Sequence, residues 1–95
     1  MTREQELSEL HAFLDVNFGP AGAPHRVTIE KYAHDHRASP DVLAAACLPS
    51  DDLMQLAQHR MGNFEGLPRY ASLRAIICAT AAVMLRIEKL EATEQ

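Results

Sequence analysis

The sequence predicts an all-α protein of about five helices, in which short helices pack on one long C-terminal helix. Three observations lead to this prediction. Prolines and glycines divide the chain into short segments. Apolar residues inside those segments recur at three- and four-residue intervals, which is the period of one helical face. Capping residues or prolines stand directly before several segments, where a helix begins. With 95 residues, we expect a single helical domain over 1–95.

The first predicted helix covers 3–18. Thr2 and Gln5 have the spacing of a capping box, in which two side chains satisfy N–H groups of the first turn. The Gly- and Pro-rich segment 19–24 ends the helix and forms a loop. The predicted apolar stripe consists of Leu7, Leu10, His11, Leu14 and Phe18.

A second helix is predicted over 28–37, with Thr28 as its cap. The alternative is a short strand over 26–29. We prefer the helix because a lone strand has no partner elsewhere in the chain and is not stable by itself. The apolar positions with helical spacing are Ile29, Tyr32, Ala33 and His36.

Two further short helices are predicted over 40–47 and 51–61. Ser39 is placed as a cap before Pro40, which fits the first helical position. The segment 48–52 repeats this pattern of Pro, Ser and Asp. The predicted buried face of the second of these helices consists of Leu53, Met54, Ala57 and Met61.

The last predicted helix, over 68–91, has an expected length of roughly 36 Å at 1.5 Å per residue. No charge occurs in 75–85, so several turns are apolar on all sides. The predicted core arc consists of Leu73, Ile76, Ile77, Thr80, Val83, Met84, Ile87 and Leu90. The opposite arc consists of Ala75, Cys78, Ala79, Ala81, Ala82 and Leu85.

A helix that is apolar on all sides must be covered on all sides. The uncharged stretch is too short to span a membrane, which takes ~20 residues. A small domain has little core with which to surround it, so we expect a second copy of the chain on the small-residue arc. The alternative is that the short helices wrap both arcs. The predicted homodimer interface consists of Ala75, Cys78, Ala79, Ala82 and Leu85.

Composition and charge limit the classes of partner. The chain has 9 Lys+Arg and 13 Asp+Glu, for a formal net charge of -4, which repels nucleic acids and anionic membranes. We therefore expect neither a nucleic-acid partner nor a membrane partner. The residues after Met1 are polar and acidic, unlike a secretory signal, so a cytoplasmic location is expected. Cys47 and Cys78 lie in apolar stretches, which favours two reduced, buried thiols over a disulfide or a redox switch.

The segment Val42–Leu56 resembles the helix-turn-helix unit of small repressors, so a DNA-binding regulator is the alternative function. Two features oppose it. Leu48 and Pro49 occupy the turn, where such repressors usually have Gly. Asp51 and Asp52 stand at the helix end that would approach the phosphates, which repel carboxylates.

The sequence contains no spacing of residues that is typical of a metal site or a catalytic site. His34 and His36 point to different sides of a helix, and no Cys-x-x-Cys, His-x-x-x-His or Glu-x-x-His spacing occurs. There is also no Gly-rich phosphate loop and no Gly-x-Ser-x-Gly. We therefore expect no metal, no cofactor and no catalytic residue, with a small enzyme or metal-dependent module as the third option. The remaining histidines are His11, His25 and His59.

Protein–protein contact is the remaining class of function. Aromatic and Arg residues are enriched where interfaces derive most of their energy. Each candidate can alternatively belong to the core or fill a turn. The candidate partner-binding residues are Phe13, Val16, Phe64, Leu67, Arg69 and Tyr70.

The long helix opens with the segment Arg69–Ile77. The chain is small, acidic and all-helical, and its short helices lead into this long one. In this layout it is similar to small bacterial antiactivators of the QslA kind, which block a LuxR-type quorum-sensing regulator by binding it. The resemblance implies a dimer that sequesters the ligand-binding domain of a transcription factor, without a cofactor. We therefore expect a cytoplasmic regulatory protein that acts by protein–protein interaction.

Overall fold

The computed structural model describes residues 2–62 and 69–92, and this part of the chain forms helices without any strand. Each of the first four helices packs against the last, and the first also packs against the second. The predicted all-α fold, with short helices on a long C-terminal helix, is confirmed. The helices are α1 (Arg3–Phe18), α2 (Pro24–Asp35), α3 (Pro40–Ala46), α4 (Ser50–Gly62) and α5 (Arg69–Ala92).

Local chemistry sets both ends of α1. The backbone N–H of Gln5 donates to Thr2 Oγ1 at 3.1 Å, and the N–H of Thr2 donates to Gln5 Oε1 at 2.9 Å, so the predicted capping box is present. At the other end, Gly19 has φ +87° and its N–H donates to the Asp15 carbonyl at 2.9 Å. A residue with a Cβ rarely adopts this backbone conformation, which explains the glycine.

α2 begins at Pro24, not at Thr28. The fixed φ of proline fits the first helical turn, where its missing N–H leaves no hydrogen bond unmade. Thr28 lies inside the helix, and its Oγ1 donates to the Pro24 carbonyl at 3.0 Å. The predicted helix therefore exists with its bounds shifted toward the N-terminus, and the alternative strand over 26–29 is wrong.

The remaining helices have nearly the predicted bounds. α3 ends at Ala46, α4 starts at Ser50 and α5 starts at Arg69. Ser39 is the N-cap residue of α3, as predicted, although its side chain makes no capping hydrogen bond. None of the described helices has the length and hydropathy that crossing a membrane requires.

The protomer itself buries both arcs of α5. On the predicted core arc, Thr80 and Val83 are both 0% exposed. On the opposite arc, Ala81 is 2% exposed and Ala82 is 1% exposed. Leu73 departs from the prediction, because it is largely exposed. The short helices thus wrap both arcs, which is the alternative that the sequence left open.

This packing bears on the predicted homodimer interface, which stays a prediction. Ala79, Ala82 and Leu85 lie in the core of one protomer, while Ala75 and Cys78 are half-buried. The small side chains of alanine let helices approach one another closely, so even a short chain surrounds its longest helix. The predicted interface therefore has little free surface at Ala79, Ala82 and Leu85. A homodimer stays a prediction without an assigned interface.

Arg86 of α5 joins three other helices near one end of α3. Its Nε donates to Glu6 Oε2 of α1 at 2.8 Å. Its Nη1 donates to the carbonyls of Ala46 at 3.0 Å and Leu48 at 2.9 Å. These carbonyls lack helical partners at the end of α3, so one guanidinium satisfies them. A longer contact of 3.4 Å joins its Nη2 to Ser50 Oγ of α4.

Arg26 of α2 is only 5% exposed and joins α2 to the end of α1. Its Nε donates to Glu30 at 2.9 Å, and its Nη1 donates to the Gly19 carbonyl at 3.0 Å and to Asp15. Burial disfavours the charged guanidinium, but the hydrogen bonds and charges of Glu30 and Asp15 outweigh this effect. The pKa of Arg26 therefore lies above its ordinary value.

Candidate functional site

A groove of about 450 Å³ is lined by residues of α1 and α4, and we term it the α1–α4 groove. Its lining positions recur at three- and four-residue intervals along each helix, so each helix contributes one continuous stripe. These stripes lie beside the core-facing stripes. The lining residues are Glu9, Ala12, Phe13, Val16 and Asn17 of α1, with Met54, Gln58 and Met61 of α4.

The α1–α4 groove is mainly apolar, and its apolar side chains differ in exposure. Val16 is 84% exposed, the highest value among the large exposed hydrophobic residues that the structure describes. Phe13 is 5% exposed and belongs to the core that underlies the groove. Met54 and Met61 are half-buried and also pack against that core. Methionine side chains are flexible and polarisable, so they adapt to different apolar partners.

The charged lining of the α1–α4 groove is acidic. Among the described residues that line it, Glu9 is the ionisable one, and it is exposed. The first turns of the two helices carry Glu4, Asp51 and Asp52, whereas the last turn of α4 carries His59 and Arg60. An incoming apolar surface would therefore meet the carboxylate of Glu9 within the groove.

The structure brings together two of the predicted partner-binding residues. Phe13 and Val16 both line the α1–α4 groove. Phe64 and Leu67 lie outside the described residues, as do the side chains of Arg69 and Tyr70. The helical pattern of α4 predicts Met54 and Met61 on its buried face; both pack against the core and also line this groove. Their helical spacing was visible in the sequence, but the pairing of α1 with α4 was not.

A second concave site lies between α3, α4 and α5 and encloses about 220 Å³. We term it the arginine cleft. It explains why Ala75 and Cys78 remain half-buried although their neighbours on α5 are buried. The lining residues are Asp41, Ala45, Leu56, Arg60, Arg74, Ala75, Cys78 and Ala79.

The histidines do not form a ligand set in the described residues. His36 is half-buried, and its Nδ1 lies 3.0 Å from the Tyr32 carbonyl oxygen. Across 2–62 and 69–92, no group of three or more His, Cys, Asp or Glu residues is placed to hold a metal ion. The exposed histidines are His11, His25, His34 and His59.

The two cysteines differ from the prediction. Both are free, but Cys47 is exposed and Cys78 is half-buried. Cys47 follows directly after the last residue of α3, outside the core, and Lys89 Nζ lies 3.3 Å from its Sγ. The interpretation of Cys47 as a buried apolar residue is therefore wrong.

The predicted two-helix unit over Val42–Leu56 is present as parts of α3 and α4. Asp51 and Asp52 are exposed in the first turn of α4. The end of α4 that a helix-turn-helix protein would direct toward DNA is therefore acidic. Comparison with protein-family models, with curated proteins and with solved structures found no match to this chain.

Proposed function

We propose that this chain is a cytoplasmic regulatory protein, not an enzyme, which binds a basic amphipathic helix of another protein in the α1–α4 groove. One observation carries the proposal. Val16 exposes 84% of its surface on a groove that Phe13, Met54 and Met61 also line. An apolar side chain with that exposure beside further apolar surface is typical of an interaction site.

The shape of the groove supports a helical partner. Two helices form its walls, and their lining side chains have helical spacing. An amphipathic helix fits such a groove by placing residues at i, i+3, i+4 and i+7 against it. The thioethers of Met54 and Met61 supply adaptable contacts for that apolar face.

The charge of the groove supports a basic partner. Glu9 lines it, and no Lys or Arg of the described residues does. With a net charge of -4, the chain attracts Lys- and Arg-rich surfaces and repels acidic ones. A helix with an apolar stripe flanked by basic residues complements both features.

Transcription regulators are the first partner class that we propose to test. The similarity to antiactivators of the QslA kind implies a partner of this class, such as a LuxR-type quorum-sensing regulator. The exposed carboxylates of Asp51 and Asp52 disfavour DNA itself as the ligand, since they would meet phosphates.

A titration with two peptides tests the proposal. One peptide has Leu and Lys at amphipathic helical spacing over about 18 residues, or roughly 27 Å of helix, and the other has Glu in place of Lys. We expect the Lys peptide to shift the NMR amide resonances of the groove-lining residues in a saturable manner. The Glu peptide should bind at least about tenfold more weakly.

Val16→Glu should abolish this binding, and Val27→Glu is its matched control. Val27 is a 52% exposed valine of α2, so both variants add one charge to an exposed helical position. Equal binding of the two peptides, or equal effects of the two variants, would contradict the proposal. Light scattering provides a further test. If it shows a dimer, and if Val16→Glu dissociates that dimer, the proposal is contradicted, because a second copy of the chain would then occupy the groove.

A photo-crosslinking residue at position 16, compared with one at position 27, identifies the partner in cells by mass spectrometry. The proposal requires a partner that crosslinks at position 16 only. The crosslinked segment must also contain a basic amphipathic helix that binds the purified protein.

A further inference from the structure

The arginine cleft combines an apolar lining with two guanidinium groups. Leu56 is half-buried and Ala79 is 4% exposed, so both offer apolar surface to the cleft without filling it. Arg60 of α4 and Arg74 of α5 line the same space of about 220 Å³. Small-molecule sites typically have this composition, with mostly apolar walls and a few convergent polar groups.

The hydrogen bonding of the arginines sets this cleft apart. Four other arginines donate to oxygen atoms: Arg3 to Leu90, Arg26 to Asp15 and Glu30, Arg37 to Glu88, and Arg86 to Glu6. Within the part of the chain that the structure describes, the guanidinium groups of Arg60 and Arg74 form no hydrogen bond or ion pair. In a chain with more acidic than basic residues, the two described arginine side chains without such a partner therefore line one cleft.

We infer that the arginine cleft binds a small organic monoanion, whose carboxylate is held by Arg60 and Arg74 and whose short apolar body lies against Leu56 and Ala79. Arg60 is half-buried and Arg74 is exposed, and both carry a positive charge into the same cleft. A carboxylate would neutralise this charge locally, because the planar fork of a guanidinium matches its two oxygens.

The third charged residue of the cleft determines the charge of the ligand. Asp41 of α3 also lines it and is exposed. Two guanidiniums and one carboxylate leave an excess of one positive charge, which a monoanion neutralises. A phosphate dianion would exceed this excess and be repelled more strongly by Asp41 than a carboxylate, so a carboxylate is the better fit.

The size of the cleft limits the ligand to a short one. Its volume of about 220 Å³ is below the range of about 300–1,000 Å³ for sites of drug-sized ligands. Hexanoate is a suitable probe, since it joins one carboxylate to a short alkyl chain. Hexanamide is the matched neutral probe, and inorganic phosphate tests for an anion site without apolar specificity.

NMR titration of the protein with each probe tests the inference. Hexanoate should produce saturable shifts at the amides of the cleft-lining residues, hexanamide none, and phosphate only weak ones. Arg60→Gln and Arg74→Gln should each weaken hexanoate binding about tenfold or more, since each removes charge-assisted hydrogen bonds. Lys31→Gln is the control, because it removes one positive charge from an exposed position of α2 and should leave binding unchanged.

Cys78 provides an independent readout, because it lines the same cleft and is half-buried. Bound hexanoate should slow its alkylation by iodoacetamide, as followed by mass spectrometry, while the exposed Cys47 should react at an unchanged rate.

Equal effects of hexanoate and hexanamide would overturn the inference. The inference would also be overturned if Lys31→Gln weakened hexanoate binding as much as Arg74→Gln does. Tighter binding of phosphate than of hexanoate would overturn it as well. Because Val16 and the α1–α4 groove take no part, these outcomes are separate from those for the proposed partner helix.

Discussion

Arg86 Nε donates to Glu6 Oε2 at 2.8 Å and thereby joins α5 to α1 across 80 positions of the sequence. The Arg86 side chain is 18% exposed and that of Glu6 is 10% exposed. This guanidinium also satisfies the carbonyls of Ala46 and Leu48. It therefore combines an ion pair between two helices with the capping of a third helix.

We expect Arg86→Met to lower the free energy of unfolding by about 3–5 kcal/mol, because it leaves the Glu6 carboxylate without its partner in a mostly buried position. Urea unfolding measures this effect. The control is Arg37→Met, since Arg37 forms a 2.8 Å pair with Glu88 in which the side chains are 41% and 53% exposed. That change should cost less than about 1 kcal/mol. Similar losses for the two variants would contradict the assigned role of Arg86.

Gly19 should not tolerate a side chain. Its φ of +87° and ψ of -177° lie in a region that only glycine populates readily. An added Cβ would lie 3.4 Å from the Ala23 Cβ, which is an ordinary contact, so the cost comes from the backbone. We expect Gly19→Ala to cost about 1–3 kcal/mol. Gly22→Ala is the matched control in the same loop, because a Cβ there meets no atom within 4 Å. If thermal melts show both variants equally stable, the strain assigned to Gly19 is absent.

Ala82→Glu should unfold the protein instead of dissociating an oligomer. Ala82 is 1% exposed inside the protomer, so a glutamate there would place an unpaired charge in the core. We expect circular dichroism to show loss of helix. Ala75→Glu should stay folded, because Ala75 is half-buried beside the arginine cleft. A folded Ala82→Glu monomer from a dimeric parent would restore the interface predicted from the sequence.

The two thiols should differ in reactivity. Cys47 is exposed and Cys78 is half-buried, and access limits the reaction of a thiol with a bulky reagent. In the folded protein, we expect an aromatic disulfide reagent to modify Cys47 faster than Cys78. Single Cys→Ser variants assign each rate. As a control, both thiols should react at the same rate in denaturant. Equal rates in the folded protein would contradict the partial burial of Cys78.

Local signals predicted most of the fold. The capping box of Thr2 and Gln5, and the Ser39-Pro40 start of α3, depend on atoms a few residues apart, so they are readable in sequence order. The start of α2 was wrong because Pro24 was assigned to the loop, although proline also suits the first turn of a helix. The wrapping of α5 was left open because it depends on how closely the other helices approach it.

The candidate sites were much harder to predict. The sequence indicates Phe13 and Val16 as candidate partner-binding residues, but their place in one groove with Met54 depends on how α1 and α4 lie on α5. The pairing of Arg60 with Arg74 in one cleft likewise depends on tertiary packing. Nothing in the spacing of charges along the sequence distinguishes these arginines from the ion-paired ones.

The position of α5 has a consequence for how the chain folds as it is made. All four preceding helices pack against α5, yet the ribosome synthesises α5 after them. Until it emerges, the apolar stripes of α1 to α4 lack the surface that covers them in the finished fold. The nascent chain is thus a natural client for a chaperone that shields apolar segments, and truncation before α5 removes the partner of every other helix.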